Sequence, residues 1–267
     1  MRVRSLGLYT DVSLHGWRGR VVDRGDHLVV THPDVPAFRG GHLLVFERPP
    51  GEGDLGRWCD LFDRSIGVPP AFPYRQFAWD DLDGEEGVIA PFLTAGFEAE
   101  RERVLTAARL RPSGPAPAGI RLAPLDGDAD WRAATEMLAA STDAAARPAY
   151  LRLVGGVMTA NRRLVDAGRG VWWGAWEGDA IVGTLGLFRV DELARFQSVE
   201  THPEHRRRGI AGALLLRAAE EARRAWDTRL LVLVSEDDGP GVGLYARLGL
   251  EVAERRVGLG QRRPVAP

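Results

Sequence analysis

Arg206, Arg207 and Arg208 run directly into Gly209, and Ile210, Ala211 and Gly212 open a long apolar stretch. A strand is predicted to end near Pro203 and a helix to start near Arg208, which puts the arginines at a strand-to-helix junction. The first turn of a helix leaves backbone N–H groups unpaired and carries the positive end of the peptide dipoles. Gly209 and Gly212 have no side chain, so a ligand can approach the backbone there. Three guanidinium groups beside such a turn make an anion site suited to phosphate or pyrophosphate. Charge runs are most often solvated surface, but here arginines, glycines and the junction coincide. His202 and His205 sit in the preceding turn and read as solvated or phosphate-adjacent. No residues have metal-ligand spacing, so no metal is expected. Cys59 is the only cysteine, without a nucleophile motif around it, and the chain contains no lysine. A covalent amine or thiol mechanism is therefore not expected.

The elements around this junction follow from pattern. "GIRLAPL" (119–125) reads as a strand, and "DADWRAATEMLAAS" as a helix. "PAYLRLVGGVMTANRRLVDAG" is a second helix, "GVWWGAWEG" and "AIVGTLGLFRV" are strands joined by a turn, and "LARFQSVETHP" is a third strand. A long amphipathic helix starts at the arginines. "RLLVLVSED" is a buried-type strand, "GPGVGLYARLGL" a short helix, and "EVAERRVGL" a closing strand. The order is β-α-α-β-β-β-α-β-α-β, which predicts an α/β (α+β) fold with a mixed central β-sheet flanked by helices. The Pro/Gly/Ala-rich run at Arg111–Gly119 divides the chain into a domain at 1–112, a linker at 113–118 and a second domain at 119–267.

Composition narrows the class. The 267 residues are 45 % hydrophobic and 27 % charged, a globular balance. A formal net charge of −2 argues against nucleic acid as the main partner. The N-terminus lacks a signal-peptide core, and no run approaches the ~18 apolar residues of a membrane span. A cytoplasmic location without membrane partners is expected.

With these elements in place, "RRRGIA" resembles the Arg/Gln-x-x-Gly-x-Gly/Ala acyl-CoA signature of the GCN5-related N-acetyltransferase (GNAT) superfamily. "DGPGVGLYARLGLEV" (238–252) is similar to that family's Asn-x-x-Ala-x-x-x-Tyr-x-x-x-Gly-Phe segment, and the resemblance covers about 119–262. It implies acetyl-CoA as co-substrate. The pyrophosphate would sit on the loop formed by Arg206, Arg207, Arg208, Gly209, Ile210, Ala211 and Gly212, and the pantetheine arm along Val199 and Thr201. Tyr245 falls on the family tyrosine that protonates the departing thiolate. Two positions depart from the pattern: Asp238 stands where the family has Asn, and Gly241 where it has Ala. An ionised Asp238 cannot donate an amide hydrogen bond, which bears on its contact to the cofactor. The amine acceptor must lose a proton before attack, and Glu200, beside the implied acyl site, is the first candidate base. Glu192 and Glu236 are weaker ones.

The first domain has an internal likeness to the second. "PFLTAGFEAERERVL" (91–105) aligns without a gap on "LYARLGLEVAERRVG" (244–258), placing Gly96 on Gly249 and Phe92 on Tyr245. We read a duplication, with a degenerate GNAT-like first half that has lost the tyrosine hydroxyl and the arginine loop. That half is expected to wall the acceptor pocket. Its acidic run "RQFAWDDLDGEEG" reads as solvated loop or as an attractor for a cationic amine, and one of Trp172 and Trp173 is expected to line the acceptor cleft. The implied activity is an acyltransferase, an acetyl-CoA-dependent N-acetyltransferase acting on a primary amine of a small molecule. The sequence is also compatible with an acyl-CoA sensor, with an acyltransferase acting on a protein N-terminus or an aminoacyl group, and with a homodimer.

Overall fold

The computed structural model describes residues 1–112, 114 and 117–263. Residues 113, 115 and 116 of the expected linker lie outside the described residues. In chain order the elements are α1 (Leu6–Arg18), β1 (Arg20–Asp23), β2 (His27–Thr31), β3 (Leu43–Phe46), α2 (Asp54–Ser65), β4 (Tyr74–Trp79), α3 (Ala90–Thr94) and β5 (Glu98–Ala107). There follow β6 (Ile120–Pro124), α4 (Gly127–Leu138), α5 (Arg147–Asp166), β7 (Gly170–Glu177), β8 (Ala180–Val190) and β9 (Leu193–Thr201). The last are α6 (Ile210–Trp226), β10 (Leu230–Glu236), α7 (Val242–Arg247) and β11 (Glu251–Arg262). From β6 on, this is the order read from the sequence. No helix among the described residues is long and apolar enough to cross a membrane.

The chain divides into two compact units. The second holds Leu105–Leu233 and Pro240–Glu251. Its sheet runs β6-β7-β8-β9-β10, antiparallel except for the parallel pair β9/β10. Strand side chains alternate between faces, and both faces are covered. Trp172 meets Trp131 of α4, ring centroids 5.9 Å apart, while Trp173 lies under Arg217 of α6 at 5.3 Å. Trp172 and Trp173 do face opposite ways, but both are buried. Neither lines an open cleft, because each sheet face carries its own helix layer.

The first unit holds Met1–Val104, Val234–Gly239 and the segment from Val252 on. The strand expected to close the second half therefore belongs here: β11 pairs antiparallel with β4, Leu259 opposite Phe77. Its apolar positions explain this, since Val257 and Leu259 lie in a core with Phe46, Trp58, Phe77 and Phe92. Conversely Leu105 and Ala107, at the end of β5, pack in the core of the second unit. Glu254 of β11 accepts hydrogen bonds from the Ser5 hydroxyl and the Leu6 N–H, at 2.6 and 2.8 Å, and so caps α1 with negative charge. Asp81 accepts from the N–H groups of Asp83, Gly84 and Glu85, and Glu86 pairs with Arg101. Those carboxylates of the acidic run are thus spent inside the first unit.

The positions paired by the sequence likeness share backbone geometry. Gly96 and Gly249 both have φ +84°, each ending a short helix. Phe97 N–H donates to the Phe92 carbonyl and Leu250 N–H to the Tyr245 carbonyl, both at 3.0 Å. Upstream, each unit has parallel strands bridged by a helix, β3-α2-β4 and β9-α6-β10. Both helices start from a left-handed glycine, Gly53 (φ 79°, ψ −4°) and Gly209 (φ 79°, ψ 2°). Counting from these, Gly56 corresponds to Gly212, Glu52 to Arg208 and Asp54 to Ile210. In the first unit the Asp54 carboxylate accepts from the Gly51 N–H at 2.8 Å and from Arg57 at 2.9 Å. An acidic side chain therefore stands where the second unit has an open, basic turn.

Candidate active site

The site is built where β9 outruns its partner. β9 and β10 pair only through Leu193–Leu230, Ala194–Leu231 and Arg195–Val232. From Phe196 to Thr201 the β9 edge facing β10 makes no further ladder pairs among the described residues. On its other edge β9 stays bound to β8 through a bulge, Thr184 opposite Glu200 but Gly186 opposite Gln197. Ser198 absorbs the extra residue with φ 49°. The bulge re-aims Val199 and Glu200 relative to the strand before them.

After Thr201 the chain turns through Pro203–His205 and enters α6 at Gly209. Arg207 adopts φ 61°, a conformation that costs a side-chain-bearing residue about 1–2 kcal/mol. A Cβ added at Gly209 would meet nothing within 4 Å, so the turn is open. The first intrahelical donor is Ala213, whose N–H reaches the Gly209 carbonyl at 3.0 Å, leaving the amides of the first turn without helical partners. The helix start is seated on β8 by Gly183, where a Cβ would stand 2.9 Å from Ile210 Cγ2. Ile210 and Gly212 are buried at the helix start.

The three arginines differ in their partners. Arg206 donates to the Thr201 carbonyl and to Ser141 Oγ, both at 3.3 Å. Arg208 is paired with Glu177, at the end of β7, at 2.5 Å, and His205 Nε2 lies 3.0 Å from the same carboxylate. These contacts hold the Glu177 carboxyl below its ordinary range, the Arg208 hydrogen bond contributing most. Arg207 is exposed and has no hydrogen bond or ion pair among the described residues.

Tyr245 and Glu200 come within electrostatic reach of each other. Tyr245, on α7, is buried, and burial first and then the Glu200 charge push its phenol above the ordinary value. Desolvation raises the Glu200 carboxyl too, with the Arg206 guanidinium opposing it. The Tyr245 ring lies close to Gly241: a Cβ there would stand 2.5 Å from its Cζ. Glycine at the family's alanine position leaves that space for the ring. Of the other carboxylates, Glu192 is tied to Arg229 at 2.8 Å at the β8–β9 turn. Asp238 and Glu236 fall in Val234–Gly239, the segment that clusters with the first unit.

Residues 132–250 match the model of the acetyltransferase (GNAT) family. This chain carries a GNAT domain. Its fold is similar to that of a GCN5-related N-acetyltransferase from Kribbella flavida, with 17 % identity over 99 % of this chain and 98 % of that one and a TM-score of 0.65. A GCN5-related N-acetyltransferase from Sphaerobacter thermophilus gives 22 % identity over 95 % and 86 %, TM-score 0.58. A tandem GNAT protein from the clavulanic acid biosynthesis pathway gives 17 % over 90 % and 83 %, TM-score 0.56. At these identities the likeness is one of fold. No curated protein matches the sequence.

In the GNAT domain the expected residues divide into groups. Val199, Glu200 and Thr201 lie on the unpaired strand segment, Arg206 to Gly209 on the open turn, and Tyr245 within electrostatic influence of Glu200. Sequence reasoning missed Glu177, Ser141 and the Ser198 bulge. For the bulge a signal was available, since Ser-Val-Glu-Thr breaks the apolar run of β9. For Glu177 there was none, because its partners are 28 and 31 residues away.

Proposed function

We propose that the GNAT domain transfers an acetyl group from acetyl-CoA to the primary amine of a small molecule. The observation that carries this reading is the free edge of β9 from Phe196 to Thr201, running straight into an open, basic helix turn. An extended amide-bearing arm can pair with such an edge, and a pyrophosphate fits the unpaired amides and Arg207 at its end. The residues present therefore fit an acyl-CoA, with Val199 and Thr201 along the arm and Arg206 to Gly209 around the phosphates.

The chemistry follows from the two titratable side chains. The amine nitrogen attacks the thioester carbonyl carbon, the C–S bond breaks, and the electron pair leaves on sulfur. Glu200 accepts the proton lost by the amine, directly or through a water, and its raised pKa makes it a better base than an ordinary carboxylate. Tyr245 gives a proton to the sulfur, and its raised pKa keeps it protonated at neutral pH. The first unit takes no part in the chemistry: Phe92 replaces the tyrosine, and Asp54 satisfies the turn that would hold phosphate.

A panel of small primary amines with acetyl-CoA, followed by release of the CoA thiol, tests the reading. Turnover of at least one amine is expected. Binding of acetyl-CoA without turnover of any amine would instead make the chain an acyl-CoA sensor.

A further inference from the structure

We propose that Glu177 is a positioning residue for the cofactor turn, pinning Arg208 and His205 so that Arg207 is the turn's available cation. The proposal rests on the acetyl-CoA reading above. The three arginines look equivalent in the sequence, yet they have different partners. Arg208 lies against Glu177 Oε1 at 2.5 Å, and its second nitrogen lies 3.4 Å from Oε2. His205 Nε2 shares Oε2 at 3.0 Å. One carboxylate, fixed at the end of β7, thus holds the turn at two points three residues apart. On the other side of Arg207, Arg206 is fastened to the Thr201 carbonyl and to Ser141 Oγ.

Between these fastenings Arg207 keeps a left-handed backbone, φ 61°, two residues before Gly209 at φ 79°. A strained residue persists only where its surroundings over-determine it, and here both neighbours are tied. The two left-handed residues flank Arg208 in an open turn, and the Arg207 guanidinium has no hydrogen bond or ion pair among the described residues. Release of Arg208 would let Arg207 relax to an ordinary conformation and close the turn. Glu177 also places a negative charge near the proposed phosphate site. Charge alone would make its removal strengthen anion binding; positioning makes its removal weaken it. The sign of the effect separates the two.

The test uses the full chain with Glu177→Ala and Glu177→Gln. The ion pair is exposed, so its loss affects stability little, and matching thermal midpoints check this. Acetyl-CoA affinity is measured by calorimetry, kcat at saturating acetyl-CoA by thiol release, and the turn itself by the rate of tryptic cleavage at Arg206 to Arg208 without ligand. Glu177→Ala is expected to bind acetyl-CoA about tenfold more weakly, equivalent to ~1.4 kcal/mol, with kcat unchanged and faster cleavage. Glu177→Gln keeps a carbonyl for Arg208 and an amide for His205, and is expected to stay within about threefold of the wild type, since the hydrogen bonds and not the charge do the positioning. Tighter binding by both variants, or no change in Glu177→Ala, would overturn the proposal. Failure of the wild type to bind acetyl-CoA would sink the cofactor reading by itself. The cleavage rates would then decide the positioning claim, and equal rates in wild type and Glu177→Ala would refute it.

Discussion

Burial first, and then the charge of Glu200, push the Tyr245 phenol above its ordinary value, so the two proposed proton-transfer groups are coupled electrostatically although they lie on different elements. The loss of either group should therefore be visible in a different observable.

Tyr245→Phe removes only the hydroxyl, and the buried ring stays. Acetyl-CoA affinity should be unchanged, while kcat falls by about 10²-fold, the lower end of what general acid catalysis supplies. Calorimetry and thiol release on the same preparation check this. Equal kcat in both proteins would show that sulfur leaves without this acid.

Glu200 carries a carboxyl raised above its ordinary 4.5. The acid limb of kcat/KM should accordingly fall above pH 4.5 and disappear in Glu200→Gln, with a loss of about 10²-fold or more. The stability sign runs the other way. A carboxyl whose folded pKa exceeds its unfolded value binds protons more tightly when folded, so its contribution is lost as pH rises through that window. At neutral pH Glu200 therefore costs stability, and Glu200→Gln should have a denaturation midpoint at pH 7 equal to or above that of the wild type. A lower midpoint would mean that the carboxylate is structural.

The first unit should be acid-sensitive for a separate reason. His15 Nδ1 lies 3.0 Å from His32 Nε2, and His42 lies behind His32, ring centroids 6.3 Å apart. Burial is the main cause in each case: it lowers His15 to about 3, His32 to about 4, and His42 in the same direction. Around them Arg18 and Arg256 add to the effect on His15, while Asp11 and Asp34 oppose it at His15 and His32 respectively. The unfolded chain takes up protons below pH 6.5 that the folded chain refuses. Stability should fall from about pH 6.5 toward pH 4, by about 1.4 kcal/mol per pH unit for each histidine involved. Urea midpoints at pH 7, 6 and 5 test this. A flat profile would mean that the cluster opens to solvent without unfolding.

Much of this is legible in the amino-acid sequence alone. The order from β6 to β11 followed from apolar periodicity, because each of those elements buries one face or both. The glycine pair Gly96 and Gly249 was legible since a left-handed helix end selects glycine. α1, β1 and β2 were not read: α1 contains two glycines, and its cap depends on Glu254, far away in sequence. The affiliation of β11 was hidden for a related reason. "EVAERRVGL" states that a strand forms, but its partner is chosen by β4 and by a core of aromatic rings that the local pattern does not mention. At the site, residue types in the turn gave the anion preference. Which arginine is free depends on Glu177 and Ser141, whose contacts are tertiary.

The most direct measurement is a calorimetric titration of acetyl-CoA into the wild type and into Arg207→Ala. The account predicts one site per chain, micromolar affinity or about −8 kcal/mol, and binding about tenfold weaker in Arg207→Ala, the loss of one charge-assisted phosphate contact. Absence of binding by the folded wild type, or equal affinity in the two proteins, would contradict the placement of the cofactor on this turn.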